Sequence, residues 1–332
     1  MKRFIIYSII LIFFAVYAFW GAQAFAQQKV SVYTTLDEPL ARAVMKAFEQ
    51  EVGIKVEWIR LSTGEAVARM EAEKGNPQAS VWYGGVDNGH IDAKEKGLTI
   101  AYESPNAKAI FDKYKDKDRY WTGLYAGPLC YASNINLLKK YNLKAPTSWA
   151  DLLNPEFKGK IQMANPGSSG TAYNVITTLI FLWGEEKAFD YMKKINQNIS
   201  QYTRSGSAPG KNAALGEAVV GIGYAHDQVK LKAEGYPLEI TFPSEGTGYE
   251  IASISLMNKA PQMESGKKLY DWALSKNAAS IYASMFVVPF IDVPLQPGAI
   301  PISSIKTVNQ DNVWGGKNKK RLIDKWNNEV YK

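Results

Sequence analysis

The stretch from Gln201 to Asp227, QYTRSGSAPGKNAALGEAVVGIGYAHD, leaves few folds open. It joins a hydroxyl- and glycine-rich turn, Tyr202 to Pro209, to a short helical run, Lys211 to Glu217. An apolar, glycine-spaced strand follows, Ala218 to Tyr224, and ends on Ala225-His226-Asp227. A small-residue turn opening a helix exposes backbone N–H groups without intrahelical partners, which suit an anion. Polar side chains just past a buried strand sit where α/β sheets bind ligands. The stretch is therefore read as one wall of a small-molecule site whose ligand carries a negative group.

A second unit of the same build lies upstream: strand Ile161 to Ala164, loop Asn165-Pro166-Gly167-Ser168-Ser169-Gly170-Thr171, and apolar helix Ala172 to Trp183. The N-terminal third alternates in the same way. Strand Val30 to Tyr33 precedes a helix, Glu38 to Gln50, with Leu40, Val44, Met45 and Phe48 at helical spacing. Strand Ile54 to Trp58, a helix opened by Ser62 and Thr63, and the apolar strand Ala79 to Tyr83 follow. This order predicts an α/β fold with a mainly parallel sheet flanked by helices. The loops Thr34-Thr35, Leu61-Ser62-Thr63 and Tyr83-Gly84-Gly85 then line the ligand crevice. Tyr120 to Ser133 reads as a long strand leaving this first sheet, and Ile251 to Met257 as one returning to it.

The first 26 residues stand apart from the fold. Lys2 and Arg3 precede an apolar run from Ile5 to Trp20, and Ala24-Phe25-Ala26 is a small-x-small cleavage signal. We expect a signal peptide, residues 1–26, cleaved after Ala26, and an exported protein of the bacterial periplasm; an uncleaved membrane anchor is the alternative. The single cysteine, Cys130, allows no internal disulfide and reads as a buried small hydrophobe. The formal charge of +7 is mild, and two of those charges leave with Lys2 and Arg3. The basic run Lys317-Asn318-Lys319-Lys320-Arg321 reads as a solvated helix face, and no nucleic-acid motif accompanies it. A secreted hydrolase is the remote alternative. No G-x-S-x-G, no H-E-x-x-H and no Cys/His cluster supports it, so no enzyme activity and no cofactor are expected.

VYTTLDEP, PQASVWYGGVDNGH, APTSWADLLNPEFKGKIQMANPGSSGTAYN and YTRSGSAPGKNAALGEAVVGIGYAHD together resemble the bacterial extracellular solute-binding proteins of iron-type ABC importers. The resemblance covers essentially the whole mature chain. It implies two α/β lobes joined by two hinge strands, a ligand held between them, a monomer, and an inner-membrane ABC permease as partner. It places residues 27–128 and 245–332 in one lobe and 129–244 in the other. Within the family the chain looks most like the hexose-phosphate-binding members. That likeness implies that His226, Asp227 and Glu250 hold sugar hydroxyls. It also implies that Ser168, Ser169, Gly170 and Thr171, with Ser205, Gly206, Ser207 and Ala208, hold a phosphate. Thr34, Thr35 and Ser62 join this ligand-binding set from the crevice loops.

Ferric iron and a phosphonate such as 2-aminoethylphosphonate are the alternative ligands. Iron-binding members typically use a Tyr-Tyr pair, and here Tyr224 is followed by Ala225. Each site residue also has a plain reading. Asp227 fits the start of the next helix, Ser168 to Thr171 fit a helix cap, and Tyr224 fits strand-end packing. Arg204 fits either a phosphate contact or the surface. His90, after Asp87-Asn88-Gly89, reads as a surface-loop residue, and Trp82 as core.

Overall fold

The computed structural model describes residues 28–331. The expected signal peptide lies outside the described residues. Helix α1 (Glu38–Val52) follows strand β1 (Lys29–Thr34), and helix α2 (Thr63–Ala72) follows β2 (Lys55–Arg60). Strand β3 (Val81–Val86) and helix α3 (Asp87–Glu95) complete the parallel, helix-flanked start. Leu40, Ala41, Val44, Met45 and Phe48 form the buried stripe of α1, which Gly53 ends in the left-handed region at φ 76°. Every residue of β3 is buried, as expected of a strand covered on both faces.

After the short β4 (Thr99–Ile100), strand β5 (Thr122–Asn134) runs through both halves of the molecule. Helices α4 (Ile135–Lys140), α5 (Gly170–Trp183) and α6 (Glu185–Ile195) follow, with β6 (Ile161–Ala164) before α5 and β7 (Ile199–Thr203) after α6. Next come α7 (Ala208–Leu215), β8 (Val220–Tyr224), α8 (Ala225–Ala233), β9 (Leu238–Thr241) and β10 (Tyr249–Met257). Helices α9 (Met263–Ala273) and α10 (Lys276–Ser284), strand β11 (Val288–Pro289), and helices α11 (Asn312–Lys317) and α12 (Lys319–Glu329) close the chain.

The strand order is β2-β1-β3-β10-β5-β8-β6-β7. Strand β5 changes partner at its middle. Thr122 to Pro128 pair antiparallel with β10, whereas Leu129 to Ser133 pair antiparallel with β8 and Tyr131 to Asn134 with β9. Two large apolar cores flank this change. One gathers residues from Val30 to Tyr125 and from Ile251 to Val287; the other gathers mainly Leu129 to Tyr224. The terminal helix departs from the division by chain order. Although α12 lies within 245–332, its Leu322 and Trp326 pack in the second core. Just before it, α11 lies against α3, where Gly316 leaves no room for a Cβ beside Ile91.

Two expectations are corrected here. His90 is buried, not on a surface loop: Asp87-Asn88-Gly89 begins α3 rather than forming a turn. Its ring stacks on Trp82 at 3.7 Å and meets Ser255 Oγ at 2.7 Å and Gly84 O at 3.0 Å. Within the basic run, Lys319 is also buried rather than solvated, and burial pushes its ammonium down to about 8. Trp82 and Cys130 are core residues, as read from the sequence.

Candidate functional site

Five helices begin around one polar cavity. Ser62 and Thr63 bring the start of α2, Gly85 and Val86 the approach to α3, and Ser169 to Thr171 the start of α5. Gly206 and Ser207 precede α7, and Tyr224, His226 and Asp227 open α8. Each helix start carries orphan N–H groups and the positive end of a backbone dipole. Their convergence makes one side of the cavity electropositive without a charged side chain, which is how backbone binds phosphate and similar anions.

The other side is acidic. Glu250, near the start of β10, and Asp227 both line the cavity, and His226 lies between them. His226 Nε2 is 3.6 Å from Asp227 Oδ1 and 3.7 Å from Glu250 Oε1, too far for direct hydrogen bonds. Burial raises the Asp227 carboxyl to about 7, with Asp37 adding to the shift. It holds Glu250 well above the usual carboxylate range, with repulsion from Asp227 and Asp87 adding to the effect. Burial also holds the His226 imidazole down at about 4, so it is neutral at pH 7. The ring stands edge-on to Tyr125 and nearly parallel to Tyr224, with centroids at 5.6 and 6.0 Å. Gly127 of β5 backs it: a Cβ there would lie 2.6 Å from His226 Nδ1. A neutral imidazole beside carboxyl groups offers both donors and acceptors, a mixture that matches hydroxyl groups.

Contacts between the two halves close the rim. Gly64 N–H donates to Ser168 O at 2.8 Å, and Arg60 donates to Ser205 Oγ at 3.0 Å. Lys230 Nζ lies 3.5 Å from Asp37 Oδ2, and exposed Arg204 pairs with Glu65. Arg204 therefore takes the surface reading. Glu65 also completes a capping box with Ser62, donor at Ser62 N–H, at 2.9 Å.

Of the residues singled out from sequence, Thr35, Ser62, Ser169, Gly170, Thr171, Gly206, Ser207, His226, Asp227 and Glu250 meet at the cavity. Four others lie off its wall. Thr34 is buried in β1 and donates its hydroxyl to Tyr83 O at 3.0 Å, a structural bond. Ser168 Oγ donates to Arg204 O at 2.9 Å at the rim. Ser205 meets Ser207 Oγ at 3.1 Å and Arg60, and Ala208 N–H donates to Ser205 O at 3.3 Å. Asp227 makes no capping bond, so its plain reading as a helix cap lacks its usual hydrogen bond. Sequence reading missed Asp37, Arg60 and Tyr125, and gave Tyr224 only a packing role. Asp37 and Arg60 stand beside crevice loops already expected to line the site, and that proximity was the available signal.

The family model described as "Bacterial extracellular solute-binding protein" matches residues 87–313. The periplasmic binding protein AfuA of Actinobacillus pleuropneumoniae, solved with exogenous fructose-6-phosphate bound, is 40% identical. Its TM-score is 0.89, covering 92% of this chain and 99% of that one. The periplasmic binding protein P5PA is 33% identical with a TM-score of 0.88, covering 91% and 99%. A Salmonella typhimurium protein named as a candidate 2-aminoethylphosphonate-binding periplasmic protein is 30% identical over 278 residues, 80% of this chain and 79% of that one. Among the described residues no helix is long and apolar enough to cross a membrane. By family match, fold and identity over most of its length, this chain belongs to the bacterial extracellular solute-binding proteins.

Proposed function

We propose that this chain is the periplasmic receptor of an ABC importer and captures a phosphorylated hexose between two closing lobes. One observation carries the reading: an anion-binding cluster of helix starts and an acid–imidazole group face the same cavity. The phosphate is held by the amides and hydroxyls of Ser169, Gly170, Thr171, Gly206 and Ser207, with Arg60 nearby. The sugar hydroxyls are held by His226, Asp227 and Glu250. Likeness to a protein solved with fructose-6-phosphate supports the same ligand class. The lobes comprise residues 27–128 with the start of the C-terminal segment, and 129–244 with α12. They hinge at β5 and at the segment between β9 and β10, and the closed form delivers its ligand to an inner-membrane permease. Nothing in this cycle calls for catalysis.

The acidic end and the Salmonella relative favour a second reading, a short aminophosphonate. Iron is disfavoured by the state of the two cavity phenols. Burial and neighbouring carboxyl charges raise Tyr125 and Tyr224 well above 10, opposing the phenolate form that iron takes. A thermal-shift series on the mature chain separates the three. At a hundredfold excess over its Kd a true ligand adds about 2.7 kcal/mol. Glucose 6-phosphate is expected to raise the melting temperature, and glucose or inorganic phosphate alone to leave it unchanged. A shift with ferric citrate or 2-aminoethylphosphonate alone overturns the hexose reading.

A further inference from the structure

The acidic end of the cavity holds more negative groups than a neutral sugar requires. The Glu250 side chain is 6% exposed and that of Asp227 17% exposed. Among the described residues neither makes a hydrogen bond, and both face the cavity. Their common neighbour, His226, is neutral at pH 7 because burial holds it at about 4. The nearby cations Arg60 and Lys230 lower the Asp227 carboxyl through space but make their contacts elsewhere, Arg60 with the Ser205 hydroxyl at 3.0 Å and Lys230 with Asp37 at 3.5 Å, and burial outweighs them. A buried carboxylate without a partner is strongly disfavoured, so each must acquire a proton or a cation. A neutral sugar supplies neither charge, and leaves the pair holding protons. An ammonium group supplies the missing cation and accepts no proton in return.

We propose that the preferred ligands carry a protonated amine as well as a phosphate, the chemistry of an amino-sugar phosphate, with the ammonium placed against the cavity-facing carboxyl groups of Asp227 and Glu250. The inference rests on the reading that the phosphate occupies the helix starts. The two ends of the cavity then match a zwitterion: helix starts at Ser169 to Thr171 for the anion, and two carboxyl groups for the cation. Among the described residues neither Lys230 nor Arg60 forms an ion pair with Asp227 or Glu250, which leaves the carboxyl groups open to an incoming cation.

Titration calorimetry at pH 7 compares glucosamine 6-phosphate with glucose 6-phosphate, which differ by one amine in place of one hydroxyl. The amine is expected to tighten binding at least tenfold. Glu250→Gln is expected to erase most of that preference, and Asp227→Asn serves as a second variant should the first fail to fold. Equal affinity for the two sugars overturns the ammonium inference and leaves the hexose reading intact. Binding of 2-aminoethylphosphonate with no binding of either sugar phosphate overturns the hexose reading and supports the ammonium site. No binding by any of the three overturns both.

Discussion

Asp227→Asn is expected to cost hexose-phosphate binding while making the ligand-free protein more stable at neutral pH. The two effects share one cause. Asp227 sits in a cavity that raises its carboxyl from the ordinary 3.8 to about 7. A raised carboxyl favours the folded state only while protonated. As pH climbs from about 4 through 7, the folded protein must either keep the proton or bury a charge, and stability is lost over that window. A shift of about three units corresponds to at most about 4 kcal/mol, reduced by the partial exposure of the side chain. Asparagine carries no such burden. The variant and the parent should melt together at pH 4, and the variant should melt higher by roughly 3–6 °C at pH 8. The comparison isolates Asp227 from His226, whose lowered imidazole acts in the opposite sense and costs stability as pH falls from 6.5 toward 4. Binding at pH 7 should weaken roughly 10- to 100-fold, the cost of leaving a sugar hydroxyl without its carboxyl partner inside the site. A variant that melts lower than the parent at pH 8 would show that Asp227 serves the fold rather than the ligand.

Gly64→Ala is the second large effect, and it separates closure from folding. Gly64 lies in the first turn of α2, where it gives its N–H to Ser168 O across the cleft. A Cβ at this position would lie 2.1 Å from Gly167 O and 2.9 Å from Ser168 O. These obstacles are backbone atoms of the opposite lobe, so no rotamer change relieves them. Apart from the cleft, alanine is the better helix residue by up to about 1 kcal/mol. The ligand-free variant should therefore fold with equal or higher stability, bind hexose phosphate at least tenfold more weakly, and fail to contract in small-angle scattering when ligand is added. Parent-like affinity together with parent-like contraction would mean that the Gly64–Ser168 contact is not part of the bound state.

The parts of the site legible in the sequence are those built by a local rule. Strand, small-residue loop and helix follow one another in Ile161 to Trp183 and again in Tyr202 to Asp227, and both loops reach the cavity. The same rule holds for Ser62 and for Thr35. It fails at Thr34 by one residue, because Thr34 still belongs to β1, fully buried, with its hydroxyl taken by Tyr83 O. Tyr125 was hidden for a different reason. It lies in the β10-paired part of β5, among residues that are all buried, so no alternation of apolar and polar residues marks it as facing the cavity. His90 could not be read from its own surroundings. Its partner Ser255, in β10, lies 165 residues away in the chain. The terminal helix illustrates the same limit: its amphipathic pattern was visible, but the core it completes is set by tertiary packing.

The central claim, a phosphorylated hexose held between anion-binding helix starts and an acid–imidazole group, is tested most directly by titration calorimetry on the purified protein. Glucose 6-phosphate should give saturable heat with one site per chain, while glucose and inorganic phosphate, each carrying half of the recognised chemistry, should give none in the same range. His226→Ala should remove most of the glucose 6-phosphate signal with little change in the ligand-free melting temperature. Absence of heat with every sugar phosphate, or saturable binding of inorganic phosphate as tight as that of glucose 6-phosphate, would contradict the account.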